Sequence, residues 1–373
     1  MHTKIAVLGA GRVGRAIAID LAIRYEVTCF DISPENLQLL ACTTVQTKLT
    51  NLTDYETYPA LLSGFQLVIS AVPGYMGYLT LKAIINASKD VADISFFAED
   101  GLQLHELAIQ KNVTAIFDCG VAPGMSNLIL GYHNASMQIN SFECMVGGLP
   151  IKRVKPFEYK APFSPIDVIE EYTRPARFVQ NGLVVTKPAL SDVTAHTFNE
   201  VGTLESFNTD GLRSILYTMA HIPNMIEKTL RYPGHVALIQ SLQQAGFFSD
   251  AAININDTTL SPLAFTSAIL FKNWLPEVGE QEFTLMNIKI TGESKTINYL
   301  LYDKYDAITH TTSMSRTTGY ACSAFAQLII DKLFIAKGAY PPELIGSNTE
   351  CFTSIIKYLS ARNINYLQTV TTF

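Results

Sequence analysis

KIAVLGAGRVGRAIAIDLA, Lys4 to Ala22, decides the fold. Ile5 to Leu8 are apolar and partly β-branched, the composition of a strand buried on both faces. Gly9, Gly11 and Gly14 follow at G-x-G-x-x-G spacing, and then Val13, Ile17 and Leu21 recur with helical periodicity. Strand, glycine turn and helix make one unit in which each glycine meets a separate steric demand. The first makes a tight turn, the second lets backbone approach a pyrophosphate, and the third lets the helix pack on the strand. Free N–H groups and the dipole at the helix start favour an anion there.

The segments around this unit extend the pattern. EVTCFD ends in Asp31, about twenty residues beyond the glycines, where an acid accepts hydrogen bonds from a ribose 2′-hydroxyl and repels a 2′-phosphate. Ile32 and Ser33 come next rather than an arginine, so the sequence favours NAD over NADP. Ser33-Pro34-Glu35 reads as an N-cap with proline at the first helical position. Strands are expected at Leu67–Ala71, Val91–Ile94 and Thr114–Phe117, and a helix at Leu79–Ala87. Alternating strand and helix implies a Rossmann-type, doubly wound parallel sheet, whose ligands bind outside the carboxyl ends of the strands. Three turns therefore face one crevice: AVPG (71–74), SFFAED (95–100) and FDCGVAPG (117–124). The candidate cofactor contacts are Gly9, Gly11, Arg12, Val13, Gly14, Asp31, Ala71, Val72, Pro73, Ala122 and Pro123. Pro123, Gly124 and Met125 are expected against nicotinamide and substrate.

Beyond Gly124 the alternation stops. Phe142–Val146 reads as a strand ending at Gly147-Gly148-Leu149-Pro150. FVQNGLVV reads as a hairpin turning at Asn181-Gly182. TLMNIKI and INYLLYD make an antiparallel pair around GESKT. GHVALIQSLQQAG reads as a helix, as does Thr317 to Lys332, which is apolar on more than one face. This is an α+β substrate and oligomerisation domain. The expected division is 1–123 for the dinucleotide domain, rejoined by about 318–373, and 124–317 for the second.

The chain has 373 residues, 48% hydrophobic and 16% charged, with net charge −6, which is ample for two cores. No basic stripe supports nucleic-acid binding. The most apolar stretches are broken by Pro, Gly or charge, so no membrane span is expected. Six scattered cysteines without a CxxC pair suggest reduced, buried thiols and no metal site. With no leader before the first strand, the expected location is cytoplasmic. Cys119 lies inside the 117–124 turn and is weighed as a nucleophile against plain packing.

Polar clusters in the second part point to a small charged substrate. Arg213, Arg231 and Arg316 each lie near a helix start, where the dipole prefers acids, so each wants a partner. That partner is a structural acid or a substrate carboxylate held bidentately. His235 follows Pro-Gly at a helix start, where protonation is disfavoured, and a neutral histidine there can take a proton.

In order, GAGRVG, AVPGYMG, SFFAED, DCGVAPGMSN, GGLP, EEYTRPAR, TDGLRS, TLRYPGH and SMSRTTG resemble the L-lysine 6-dehydrogenase branch of the saccharopine dehydrogenase family, over roughly residues 3 to 350. The resemblance implies NAD-linked oxidation of an amine on a lysine-like amino acid by a homodimer or higher homo-oligomer. Saccharopine reductases are similar at DCGVAPGMSN but usually carry an acid where this chain has Ala122, which favours the smaller substrate. Oxidising lysine at its ε-carbon requires the free amine, whose proton ordinarily leaves near pH 10.4, so a base or a dry pocket must remove it. Asp118 and Glu99, acids at strand ends beside the cofactor, divide the reacting amine and the α-ammonium between them. Arg213 and Arg231, then Arg316, are the carboxylate candidates, and His235 is the alternative base. Two other readings are weighed: oxidation of saccharopine itself, and a NAD-sensing protein without turnover.

Overall fold

The computed structural model describes residues 3–161, 165–256, 258–277 and 279–373. The chain runs β1 (Lys4–Leu8), α1 (Arg12–Ala22), β2 (Glu26–Asp31), α2 (Pro34–Gln38), β3 (Gln46–Leu49), α3 (Tyr58–Leu61), β4 (Leu67–Ser70), α4 (Gly74–Asn86), β5 (Asp90–Asp93), α5 (His105–Gln110), β6 (Thr114–Ile116) and α6 (Met125–Asn134). It continues through β7 (Ile139–Pro150), α7 (Pro165–Thr173), β8 (Ala176–Gln180), β9 (Leu183–Lys187), β10 (Thr194–Phe198), β11 (Gly202–Asn208), α8 (Ile215–Thr218), β12 (Met225–Arg231), α9 (His235–Gln244), β13 (Ile253–Ile255), β14 (Thr258–Leu260) and α10 (Pro262–Trp274). The last part holds β15 (Glu282–Gly292), β16 (Lys295–Lys304), α11 (Ser313–Ile330), β17 (Gly338–Tyr340), α12 (Pro342–Gly346), α13 (Thr349–Ser360) and β18 (Tyr366–Thr372).

Two compact units result. The first comprises residues 1–139, 213–220 and 314–365. Its sheet has the order β17-β6-β5-β4-β1-β2-β3, and every pairing is parallel. Strand order reverses at β1, whose neighbours are β2 and β4, so the turns after β1 and β4 flank the switch point where such sheets bind ligands. Residues 5–8 of β1, residues 67–69 of β4 and the centre of β5 are buried apolar runs, as helices on both faces require. The expected strands and the Ser33 cap are present, with the Ser33 hydroxyl accepting from the Asn36 N–H at 3.1 Å. The helix expected from Leu79 begins earlier, at Gly74. Pro73 caps its start, and Gly77 is tolerated inside it because a Cβ there would lie 2.5 Å from the Ser95 Cβ.

The second unit comprises residues 140–212, 221–313 and 366–373. Its sheet has the order β10-β11-β12-β7-β15-β16-β18, with β8 joining β12 and pairing β9. β12 pairs β7 in parallel, while β15/β16 and β16/β18 are antiparallel. The hairpin turns at Asn181-Gly182, with φ of 51° and 77° as a type I′ turn needs. β7 runs through Gly147-Gly148-Leu149 to Pro150 rather than stopping at Val146. Gly147 belongs inside it because a Cβ would lie 2.6 Å from the Leu230 carbonyl of the neighbouring strand.

These bounds differ from the division expected at 123/124 and 317/318. α6 stays with the first unit, packed backbone to backbone on α12. A Cβ on Gly131 would meet the Glu343 carbonyl at 2.0 Å, and one on Gly346 would meet the Leu128 carbonyl at 2.1 Å. Residues 213–220 also belong to the first unit, and β18 completes the second unit's sheet. α11 starts at Ser313 and is buried on nearly every side.

The reciprocal glycine contact predicts that Gly346→Ala destabilises the protein by about 1–3 kcal/mol through overpacking. Urea unfolding of the variant against the parent is the check, and an unchanged midpoint would show that α6 and α12 can part without cost.

Candidate functional site

At the switch point the backbone leaves room where a dinucleotide needs it. A Cβ on Gly9 would lie 2.4 Å from the Ala71 carbonyl, and one on Gly14 would lie 2.0 Å from the Gly9 carbonyl. Gly9 takes φ 103°, which disfavours any side chain. Around Gly11, by contrast, a Cβ would meet nothing within 4 Å, which leaves open space at the amino end of α1. Asp31 ends β2 with one carboxylate oxygen 2.6 Å from the Ala10 N–H and the other 2.7 Å from the Ser33 N–H. A carboxylate has about four lone-pair sites, so both oxygens can still accept from ribose hydroxyls. Glu35 adds a second acid at this edge, accepting from the Ser33 hydroxyl at 2.8 Å. The residues present therefore fit a nicotinamide dinucleotide. Val13, Ala71, Ala122 and Pro123 are half-buried and Pro73 is exposed, whereas Val72 and Met125 are buried in the core. Met125 has no exposed surface, so the contact expected of it with a cofactor is not available here.

The 117–124 turn closes on itself. Gly124 has φ 140°, and a Cβ there would lie 1.9 Å from the Gly120 carbonyl. Asp118 opens this turn in the left-handed region, at φ 57°. It is almost wholly buried and pairs with Arg213, itself buried and left-handed at φ 48°. Arg213 Nε lies 2.9 Å from both Asp118 oxygens, and its Nη2 lies 2.9 Å from Oδ1. Its Nη1 donates to the Phe97 carbonyl, and the guanidinium sits 5.0 Å from the Phe96 and Phe97 ring centres. Left-handed backbone at a non-glycine residue costs about 1–3 kcal/mol and persists only where the surroundings over-determine it. Here both partners of one buried ion pair carry that strain.

Two further acids hold this arrangement, and neither was singled out from the sequence. Asp93, at the end of β5, is fully buried and accepts from the Ser95 N–H and hydroxyl, each at 3.0 Å. Its carbonyl accepts from the Cys119 N–H at 2.8 Å, and Ser95 Oγ lies 3.3 Å from Ser70 Oγ. Asp93 thus ties together the ends of β4, β5 and β6. Burial, helped by the nearby Asp118 charge, pushes its pKa up to about 7. Glu343, also without exposed surface, accepts from Thr218 Oγ1 at 2.6 Å and Asn127 Nδ2 at 3.2 Å, and bonds Ser214 as well. That anchors the segment carrying Arg213. Asp93 had a signal, an acid ending a buried strand two residues before a serine, whereas Glu343 had none at the sequence level.

The other candidates separate. Glu99 is exposed on the loop after β5. Arg316 lies in the first turn of α11 with Nη2 on the Arg362 carbonyl at 2.9 Å. Cys119 is fully buried and donates to the Ile116 carbonyl at 3.3 Å. Burial pushes its pKa well up, the opposite of a reactive thiol. All six cysteines are free.

Arg231 and His235 lie in the interior of the second unit. Arg231 ends β12, four residues before α9 begins at His235. It donates from Nε to Tyr172 Oη at 3.0 Å and from Nη2 to Glu171 Oε2 at 2.7 Å, with the Tyr159 ring centre 4.3 Å away. Tyr172 in turn donates to His235 Nε2 at 2.9 Å, and His235 Nδ1 donates to the Phe157 carbonyl at 2.8 Å. Burial and the Arg231 charge push the His235 pKa down to about 3. The histidine is neutral as expected, but both its nitrogens are spoken for. Arg177 is likewise bidentate to Asp210, at 2.9 Å for each bond. Glu227 is buried beside Thr209 Oγ1 at 2.7 Å, and burial pushes its pKa up to about 8.

Asp93 gives a pH prediction. From about pH 3.8 to about 7 the unfolded chain releases this proton and the folded chain keeps it. Stability therefore falls as pH rises through that window, and the loss is complete above it. Asp93→Asn, which mimics the protonated acid, is expected to match the parent near pH 4 and to exceed it by roughly 2–4 kcal/mol at pH 8. Urea unfolding at the two pH values decides, and parallel pH profiles would refute the assignment.

No helix among the described residues is long and apolar enough to cross a membrane. No group of His, Cys, Asp and Glu suited to a metal occurs among them. The saccharopine dehydrogenase NADP binding domain matches residues 5–116, and the saccharopine dehydrogenase C-terminal domain matches residues 120–364. Saccharopine dehydrogenase [NADP(+), L-glutamate-forming] of Pyricularia oryzae is 27% identical over 267 residues, covering 67% of this chain and 59% of that protein. Alpha-aminoadipic semialdehyde synthase of Arabidopsis thaliana is 24% identical over 269 residues, covering 66% of this chain but 25% of that protein. The chain thus spans from a quarter to somewhat over half the length of these relatives. In fold it is similar to saccharopine dehydrogenase (L-Glu forming) from Saccharomyces cerevisiae, with a TM-score of 0.81 at 19% identity, over 99% of this chain and 100% of that one. With both domain models matched in order along nearly its whole length, the chain belongs to the saccharopine dehydrogenase family.

Proposed function

We propose that the protein oxidises the terminal amine of an L-lysine-type amino acid with NAD, giving a semialdehyde once water has hydrolysed the imine. The observation that carries this reading is the strained, buried Asp118–Arg213 pair on the carboxyl side of the cofactor sheet. A guanidinium recognises a carboxylate bidentately, and a carboxylate recognises an ammonium. One amino-acid substrate offers both. Bound NAD supplies the hydride acceptor. The protein's own residues do the rest. Asp31 holds ribose hydroxyls, the open backbone at Gly11 admits the pyrophosphate, and Arg213 binds the substrate carboxylate. Glu99, exposed on the loop that carries Phe96 and Phe97, takes the proton that the reacting amine must lose.

NAD is preferred on this reading although the matching domain is described as NADP-binding. Asp31 and Glu35 put two acids at the end of β2, the proposed ribose edge, and like charge there disfavours a 2′-phosphate. Saccharopine is the second reading, favoured by the family and by the Pyricularia relative. Self-association is part of the proposal, supported by Phe265 and Ile269, which stand exposed on α10.

NADH formation by the purified protein with NAD and L-lysine, L-ornithine or saccharopine tests the reading. Turnover on lysine with a product that cyclises is expected. Turnover on saccharopine with glutamate released would replace it, and silence on all three would sink both. Asp31→Ala is expected to weaken NAD binding by about 1–3 kcal/mol, the worth of hydrogen bonds to a charged group, and to narrow the preference for NAD over NADP. Titration of both dinucleotides by cofactor fluorescence would show it, and unchanged NAD affinity would remove Asp31 from the ribose site.

A further inference from the structure

We infer that the Asp118–Arg213 ion pair is itself the receptor for the α-amino-acid head group. The substrate zwitterion inserts between the two side chains, its carboxylate going to Arg213 and its α-ammonium to Asp118. This deepens the proposed function and rests on its reading of the substrate as an amino acid.

Three observations carry the inference. First, the two side chains are fully occupied with each other, through bonds of 2.9 Å along the Nε/Nη2 edge of Arg213. A ligand carboxylate cannot use that edge unless Asp118 leaves it. Second, both groups are buried, so neither can be left alone. Breaking a buried pair without replacement strands an uncompensated charge. A lone carboxylate entering would strand Asp118, and a lone ammonium would strand Arg213. A zwitterion leaves each with a new partner of opposite sign, and the net charge of the site is unchanged. Third, both backbones sit in the left-handed region, at φ 57° and 48°. Each is held from behind rather than by the pair alone. Cys119 N–H is fixed on the Asp93 carbonyl, and Ser214 and Thr218 are fixed on Glu343. The Phe97 carbonyl still holds Arg213 Nη1 when the other edge is released. The pair can therefore open without its two backbones moving.

Charge replacement makes a selectivity rule. α-Amino acids bind, whereas carboxylates without an ammonium and amines without a carboxylate do not. The rule places the carboxylate and the α-ammonium of a lysine-type substrate here and leaves its terminal amine free to lie farther off, toward the cofactor.

The test is calorimetric binding to the full-length protein saturated with NAD, using three unreactive probes: L-norleucine, hexanoate and hexylamine. Norleucine is expected to bind at least about tenfold more tightly than either of the others, because only it satisfies both buried charges. Asp118→Asn is expected to reverse the order. Norleucine weakens, and hexanoate tightens about tenfold or more because its internal competitor has gone. Arg213→Gln is expected to favour hexylamine in the same way. Hexanoate binding the parent as tightly as norleucine, or binding Asp118→Asn no better than the parent, would overturn the inference. If neither variant folds, the comparison of the three probes on the parent still decides. None of these probes turns over. Loss of lysine oxidation with norleucine selectivity intact would sink the proposed function alone, and absent selectivity would sink this inference even in an active enzyme.

Discussion

A buried guanidinium must have its charge answered, and in this protein Arg213 finds its answer far along the chain. The arginine lies 95 residues beyond Asp118, within a sequence otherwise given to the second unit. Its pairing with Asp118, and that of Ser214 and Thr218 with Glu343, draw residues 213–220 into the first unit. The cost of an unpaired interior charge, several kcal/mol per ion, outweighs the 1–3 kcal/mol of a left-handed backbone at each partner. That inequality explains how an arginine comes to be held at φ 48°. Asp93 and Glu343 behind the pair are themselves buried. They receive hydrogen bonds from Ser95, Thr218 and Asn127, and burial raises the pKa of each. Both act as interior hydrogen-bond nodes behind the pair.

The parts of the fold legible in the sequence were those fixed by local sterics. The glycine spacing around Gly9 and Gly14 reads out a close approach of backbones, and that approach is present between Gly9 and Ala71 and between Gly14 and Gly9. The parallel order followed from strand–helix alternation, and the Asn181-Gly182 hairpin from its two left-handed residues. What was not legible depends on distant partners. Nothing in YLQTVTT says that β18 pairs with β16 of the second unit. GGLP read as a strand terminus because glycines usually break strands. The close approach of Leu230 that makes Gly147 suitable inside β7 lies more than eighty residues away.

The site divides along the same line. Asp31 and Asp118 were singled out because strand ends in a doubly wound sheet are the expected place for ligands. Asp118 and Arg213 were picked for separate duties, and only the fold shows that they hold each other. His235 was read as disfavouring protonation because it begins a helix. Burial first, and then the Arg231 charge, lower its pKa. The Phe157 carbonyl and the Tyr172 hydroxyl then use both ring nitrogens.

The two buried arginines show why burial alone does not mark a binding residue. Arg231 ends a regular strand at unstrained backbone, with Tyr159 and Tyr172 rings beside it and with Glu171, Tyr172 and the Leu230 carbonyl taking its donors. Burial and the Arg231 charge hold its neighbour His235 well below the usual imidazole range, among the buried apolar residues of this unit. Displacing Glu171 would also disturb the Tyr172–His235–Phe157 chain, which makes the arrangement a poor place to exchange partners. Among the described residues, Arg213 has one ionic partner, its Nη1 contact is a backbone carbonyl, and the acids behind it bind its neighbours rather than its guanidinium. Exchange at Arg213 disrupts one pair, whereas exchange at Arg231 disrupts a network. That difference, rather than depth in the interior, is what favours Arg213 over Arg231 as the proposed receptor.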